Sequence, residues 1–210
     1  TLHRTVMPER FVEHYGGGTW FKAAFLHTFT FLALSFLLVN PPFGDIAAPE
    51  LASKWTVVAD DGEELAYPHS MATSGATLTW YTEGSPILEG EAWLLFGLMD
   101  NVNSDGAVVE VTREYQANET IREDNISYWN SNAERIANGT STSNKSAPNL
   151  TPHGDLDQPF SVYLGTDLEE GTHKIVVKIT EEGDPWENVQ RYTWNLVISS
   201  ESAVQDSMSE

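Results

Sequence analysis

The sequence predicts an all-β domain of two packed sheets behind a single N-terminal transmembrane helix. Three observations lead there: an apolar run over residues 20–39, seven later segments of alternating, β-branched or aromatic character, and acidic or glycine-containing turns between those segments.

The apolar run reads WFKAAFLHTFTFLALSFLLV, with Lys22 its single formal charge. Twenty helical residues extend about 30 Å, the thickness of a bilayer hydrocarbon core. Asn40, Pro41, Pro42 and Gly44 cannot continue the helix. Lys22 can send its ammonium to the interface, and Trp20 marks the headgroup level. A cleaved signal peptide competes, but the run is longer than a usual signal core and residues 46–48 follow a double proline without a clean small-x-small site before it. A buried core helix is the next rival, and the sequence shows no second helical layer to cover it.

At about 100° per residue, Ala23, Ala24, His27, Thr28, Thr30 and Ser35 fall within roughly 160° of arc, and Phe25, Phe29, Leu32 and Phe36 take the other side. Phe31, Leu34 and Leu38 intrude on the small arc, and Ala33 lies outside it. Small and hydroxyl-bearing residues allow close backbone approach and interhelical hydrogen bonds, so this arc is the expected packing face for another transmembrane protein. His27 is the one imidazole of the span; without a second ligand it fits an interface hydrogen bond better than a metal or haem.

Residues 1–18 are expected to be a short cytoplasmic or interfacial segment, in which Gly16, Gly17 and Gly18 form a flexible joint. The helix follows at 19–39, a linker at 40–53, the sandwich at 54–200 and an acidic tail at 201–210. Residues 1–22 carry Arg4, Arg10 and Lys22 against Glu9 and Glu13, a balance of +1 that leaves −21 on the rest. That asymmetry predicts a single-pass cell-membrane protein whose C-terminal domain is extracytoplasmic.

The expected strands lie at 55–59, 76–82, 91–98, 107–112, 160–164, 172–180 and 190–198. Turns fall at Asp60-Asp61-Gly62, Glu83-Gly84-Ser85-Pro86, Ser104-Asp105-Gly106, Glu169-Glu170-Gly171 and Glu182-Gly183-Asp184-Pro185. In the last pair Ile175, Val177 and Ile179 alternate with Lys174, Val176 and Lys178, and Tyr192, Trp194, Leu196 and Ile198 alternate with Thr193, Asn195 and Val197. This passage, EEGTHKIVVKITEEGDPWENVQRYTWNLVI, resembles the last two strands of immunoglobulin-like domains in prokaryotic surface proteins. The resemblance implies an immunoglobulin-like β-sandwich and carries over no functional residue, since the Cys-Trp-Cys pattern of antibody-type domains is missing.

A polar insertion occupies 116–158, expected to be either a displayed loop or a short helix around 131–136, with Tyr128 and Trp129 tethering it to the sandwich. It holds five Asn-x-Ser/Thr acceptors for N-linked glycans, at Asn118, Asn125, Asn138, Asn144 and Asn149. A loop merely rich in Asn, Ser and Thr is the competing explanation.

Eleven basic against thirty-one acidic residues, a formal charge of −20, exclude nucleic acid as a partner and fit a high-salt habitat that screens self-repulsion. The absence of cysteine removes disulfides and thiolate chemistry. Asn101, Asn103, Asp105 and Gly106 copy the first half of an EF-hand loop, but Thr112 stands where the bidentate acid belongs. No cofactor is expected; the residual metal candidates are a calcium site using Asp100, Asp105 and a distant carboxylate, and a set of His69, His153, Asp155 and Asp157. HExxH and G-x-S-x-G are both missing. The sequence therefore favours a noncatalytic accessory subunit of a larger membrane complex, in contact with lipid and other transmembrane subunits. An independent glycosylated surface, envelope or adhesion protein is the alternative, ahead of a surface enzyme or metal-binding module.

Overall fold

The computed structural model describes residues 16–40, 43–100, 106–123, 126–141, 145–184 and 186–202. The chain divides into two compact units, Thr1–Asp45 and Ile46–Glu210.

In the first unit, helix α1 spans Gly17–Leu38 and buries none of its residues. It is long and apolar enough to cross a membrane, rising about 33 Å. Gly17 and Gly18 lie inside the helix rather than in a flexible joint. At the other end the Asn40 side-chain amide donates to the Phe36 carbonyl at 2.6 Å, satisfying one of the acceptors that every helix end leaves open.

The second unit holds two five-stranded sheets. The first runs in the order β7 (Thr140–Ser141), β2 (Leu65–Tyr67), β1 (Glu50–Asp60), β4 (Ile87–Met99) and β8 (Gln158–Glu169). The second runs β3 (Thr77–Tyr81), β10 (Asn188–Ser199), β9 (Gly171–Glu181), β5 (Val108–Tyr115) and β6 (Asn118–Glu123). Pairings are antiparallel except β2 with β7 and β3 with β10. The two packed sheets form a generic β-sandwich arrangement. Trp55 and Trp194 stack at 4.7 Å within its core, where Phe96 meets Trp194 edge-on and stacks on Phe160. Pro159, which cannot donate to a ladder, sits in β8 at a sheet edge.

The expected all-β, immunoglobulin-like class is corrected by the helices among the described residues, which make the fold mixed α and β. Besides α1, helix α2 spans Ile126–Asn138 inside the expected polar insertion. It covers the outer face of the first sheet, which explains a burial pattern that alternation does not describe. In β1 the residues from Trp55 to Asp60 are buried in succession, and in β4 those from Ala92 to Leu98. Trp55, Val57, Leu94 and Phe96 face the sandwich core, whereas Val58, Trp93 and Leu95 pack with Ile136, Leu150, Tyr128 and Trp129 on the outer side. Tyr128, Trp129, Asn132, Arg135 and Ile136 recur at helical spacing, so a mostly polar segment still presents one docking face. Gly97 keeps this layer close, because a β-carbon there would run into the Leu150 carbonyl.

Asp60, at the end of β1, fixes the helix. Arg135 donates to both of its carboxylate oxygens, at 2.6 and 2.9 Å, and the Tyr128 hydroxyl and Gly62 amide donate at 2.8 and 2.9 Å. The ring of Tyr128 is held as well, lying flat on the Trp93 indole at 3.8 Å. Burial pushes the Asp60 carboxyl up, but Arg135, Gly62 and Tyr128 together outweigh it and hold the pKa below the ordinary value. Its stabilising contribution is therefore present above the unfolded carboxyl's pKa of about 4 and is lost as pH falls through the lower folded value.

Replacing Arg135 by methionine keeps the stem's packing and removes the guanidinium. With one partner half-exposed, the change should lower stability by about 1–3 kcal/mol, measured as a shift in the denaturation midpoint of the full chain in detergent. An unchanged midpoint would mean that apolar contacts alone dock α2.

Candidate functional site

Four places carry chemistry: the surface of α1, the exposed sequons, a histidine cluster at the start of β9, and the Asp100–Glu181 carboxylates.

On α1, Ala23, Ala24, His27, Thr28 and Thr30 are exposed and Ser35 is half-buried. Phe21, Phe25 and Phe29 form a ladder at four-residue spacing, with ring centroids 6.5 and 6.4 Å apart. These rings are 71, 65 and 62% exposed. Such apolar area is costly in water, where burial recovers roughly 25 cal/mol per Å², and costs nothing against acyl chains. The first unit thus carries one apolar helix consistent with membrane association.

Of the expected glycan acceptors, Asn118, Asn138 and Asn149 are exposed. Asn125 and Asn144 lie outside the described residues. Asn118 opens strand β6, and Asn138 closes α2, bordering an open recess of about 240 Å³ with Arg135, Glu63 and Glu64. Asn149 lies in the irregular segment before buried Leu150. The described acceptors therefore do not share one structureless loop.

His173 is fully buried. An arginine only donates, so the 2.9 Å contact from Arg113 to Nδ1 makes that nitrogen the acceptor and leaves Nε2–H to donate to the Glu169 carbonyl at 2.8 Å. The imidazole is thereby set in its neutral Nε2–H tautomer. Tyr115 stacks on it at 4.2 Å and donates its hydroxyl to the Glu170 carbonyl at 2.8 Å. Burial pushes the His173 pKa down; the Glu169 carbonyl opposes this, the Arg113 charge adds to it, and the Glu169 carboxylate again opposes. The cluster offers a protonation-sensitive packing contact. Its signal in the sequence is the Gly-x-His at the start of β9, which the resemblance marks only as architecture.

For the calcium expectation, Asp100 finds its distant carboxylate in Glu181, with ligand oxygens within 4.8 Å. Two hard oxygen donors of this kind suit a cation such as calcium. Asn101, Asn103 and Asp105 lie outside the described residues. Among those described, His69, His153, Asp155 and Asp157 do not gather as a metal-ligand group. Asp157 instead accepts from the His153 backbone amide at 2.8 Å and contacts its Nδ1 at 3.1 Å, closing a short 3-10 turn at Gly154–Leu156.

No protein-family model matches the chain, and no curated protein matches it.

A buried histidine whose folded pKa is depressed contributes stability that is fully present above the unfolded pKa of about 6.5 and is lost as pH falls toward the folded value. Lowering pH from about 7.5 to about 5.5, a span that brackets this value, should destabilise the full chain more than its His173→Gln variant, whose amide can accept from Arg113 and donate to Glu169 without titrating. Parallel melting curves at the two pH values would refute this if both proteins shift equally.

Proposed function

We propose that this chain is a noncatalytic, membrane-anchored accessory subunit of a larger membrane complex, with α1 in the bilayer and the sandwich on the extracytoplasmic side. One observation carries the proposal: α1 is apolar along its length, with small and hydroxyl residues gathered on one arc and a phenylalanine ladder at Phe21, Phe25 and Phe29. Lipid offers little hydrophobic drive between helices, so association depends on close packing and on hydrogen bonds worth about 0.6–2 kcal/mol each. Ala23, Ala24, His27, Thr28, Thr30 and Ser35 supply that surface, and the phenylalanines suit acyl chains. The charge balance, +1 up to Lys22 and −21 beyond it, supports the orientation.

Exposure of Asn118, Asn138 and Asn149 favours a second reading, an independent glycosylated surface protein. The experiment that separates the two is co-purification of native partners in mild detergent, with membrane levels equalised. Ala24→Leu with Thr28→Leu should reduce partner recovery at least several-fold by holding the neighbouring backbone away. Phe25→Leu with Phe29→Leu should leave recovery nearly unchanged. Equal recovery from both double variants, or no partner with the unmutated chain, would leave the surface-protein reading ahead.

Orientation is tested separately. Protease added outside sealed cells should digest the sandwich and spare residues 1–18; cleavage confined to that short segment would reverse the assignment.

A further inference from the structure

Strands β5 and β6 join through Gln116 and Ala117, both left-handed at φ +48° and +64°. Such a two-residue turn favours Asn-Gly, so Gln-Ala holds it at a cost. The turn sets Tyr115 directly opposite Asn118. Residues paired this way project from the same face of a sheet, with β-carbons about 4.5–5.5 Å apart. Asn118 heads the sequon Asn118-Glu119-Thr120.

We propose that Asn118 carries an N-linked glycan whose first sugar packs against the Tyr115 ring and fastens the β5–β6 hairpin. The inference rests on the reading that the sandwich faces away from the cytoplasm.

Three observations prepare the ring for this. His173, on the β9 side, stacks on Tyr115 at 4.2 Å and 13°, while on the β6 side the residue paired with Tyr115 is Asn118. The hydroxyl is anchored by donation to the Glu170 carbonyl and by the Gln116 side-chain amide, each at 2.8 Å, so the ring is pre-set. Gly171, at φ +133°, makes room beside it, since a β-carbon there would lie 3.1 Å from the ring. A pyranose presents C–H groups on its face and hydroxyls at its rim. The C–H face suits the tyrosine π-surface, and the rim hydroxyls can keep their hydrogen bonds with water because Asn118 is exposed. Asn138 ends a helix and Asn149 lies in an irregular segment, so neither has a cross-strand aromatic partner.

The donor is a lipid-phosphate-linked oligosaccharide and the catalyst is the host's transferase. A bond forms from Asn118 Nδ2 to the anomeric carbon, and that carbon's bond to the phosphate oxygen breaks. The lipid phosphate leaves, and one amide proton passes to a base of the transferase.

The test combines glycopeptide mapping of the full chain from its native host with amide hydrogen exchange over residues 108–123. Asn118 should be occupied, and Asn118→Gln should speed exchange about 1.4- to 5-fold, the range of one cross-strand side-chain pair. Thr120→Ala, which abolishes the sequon but keeps Asn118, should do the same. In a Tyr115→Leu background the effect of losing the glycan should vanish, and in Tyr115→Phe it should persist; if Tyr115→Leu does not fold, Tyr115→Val replaces it. An unmodified Asn118 beside another modified sequon overturns this inference and leaves the orientation standing, whereas five unmodified sequons overturn both. Equal exchange with and without the glycan, or an undiminished effect without the ring, overturns the packing.

Discussion

A sheet that is apolar on both faces has to be covered twice. In this protein β1 and β4 impose that condition: Val57 and Leu94 enter the core between the sheets, and Val58, Trp93 and Leu95 emerge on the opposite side. The second sheet closes the first face, and α2 with the segment through Leu150 closes the other. Burial of this outer layer brings Asp60 out of water with it, and a buried carboxylate needs charged and hydrogen-bonding donors. Arg135 and Tyr128 supply them from the helix that the apolar face already requires. The second sheet has no such need. Its outer face carries Lys174 and Lys178 paired with Glu114 and Glu110, as suits a surface in contact with solvent.

Much of this architecture was legible as strand periodicity. Each of the seven expected strand segments overlaps a strand of the sandwich, with 76–82 and 107–112 running one residue beyond β3 and β5, because half-buried strands such as β9 and β10 write their burial as strict alternation. Three strands escaped. β2 and β7 are three and two residues long, too short for a period, and β6 reads as polar because it lies at a sheet edge. The mistaken all-β class has a physical cause: α2 draws its stability from Tyr128, Trp129, Arg135 and Ile136 docking on the sheet, amid polar residues from which a loop or a short helix near 131–136 could both be read, but not a helix of thirteen residues. The missing clue stood elsewhere, in the unalternating Ala92-Trp93-Leu94-Leu95-Phe96, a pattern of strands covered on both faces. Functional residues show the same division. The tether through Tyr128 and Trp129 was readable from two aromatics in a polar stretch, whereas the Tyr115–His173–Arg113 cluster depends on a strand pairing that spans distant sequence.

The apolar helix and the rest of the chain differ sharply in composition. Helix α1 has no buried face and one formal charge, Lys22 near its start; its other polar side chains are hydroxyls, one indole and one imidazole. The chain outside that helix holds all thirty-one acids. Surface acids repel one another most at low ionic strength, where the screening length reaches about 30 Å at roughly 0.01 M, and little in strong brine. Ion pairs such as those on the outer face of the second sheet weaken as salt rises, while the Asp60–Arg135 contact, half-shielded by the helix, is less affected.

Chain order gives the parallel β3–β10 pair a kinetic meaning. Synthesis makes Thr77 long before Asn195, its partner in the ladder, and β9, β10's other neighbour, is also made first. Until β10 arrives, Trp55 and Phe96 lack the indole of Trp194 against which they pack. Closure is therefore a late, long-range event with a large loop to be gathered, the kind that folds slowly and is prone to association while it waits. A chaperone that shelters the nascent domain would do its most useful work between completion of β9 and emergence of the last strand.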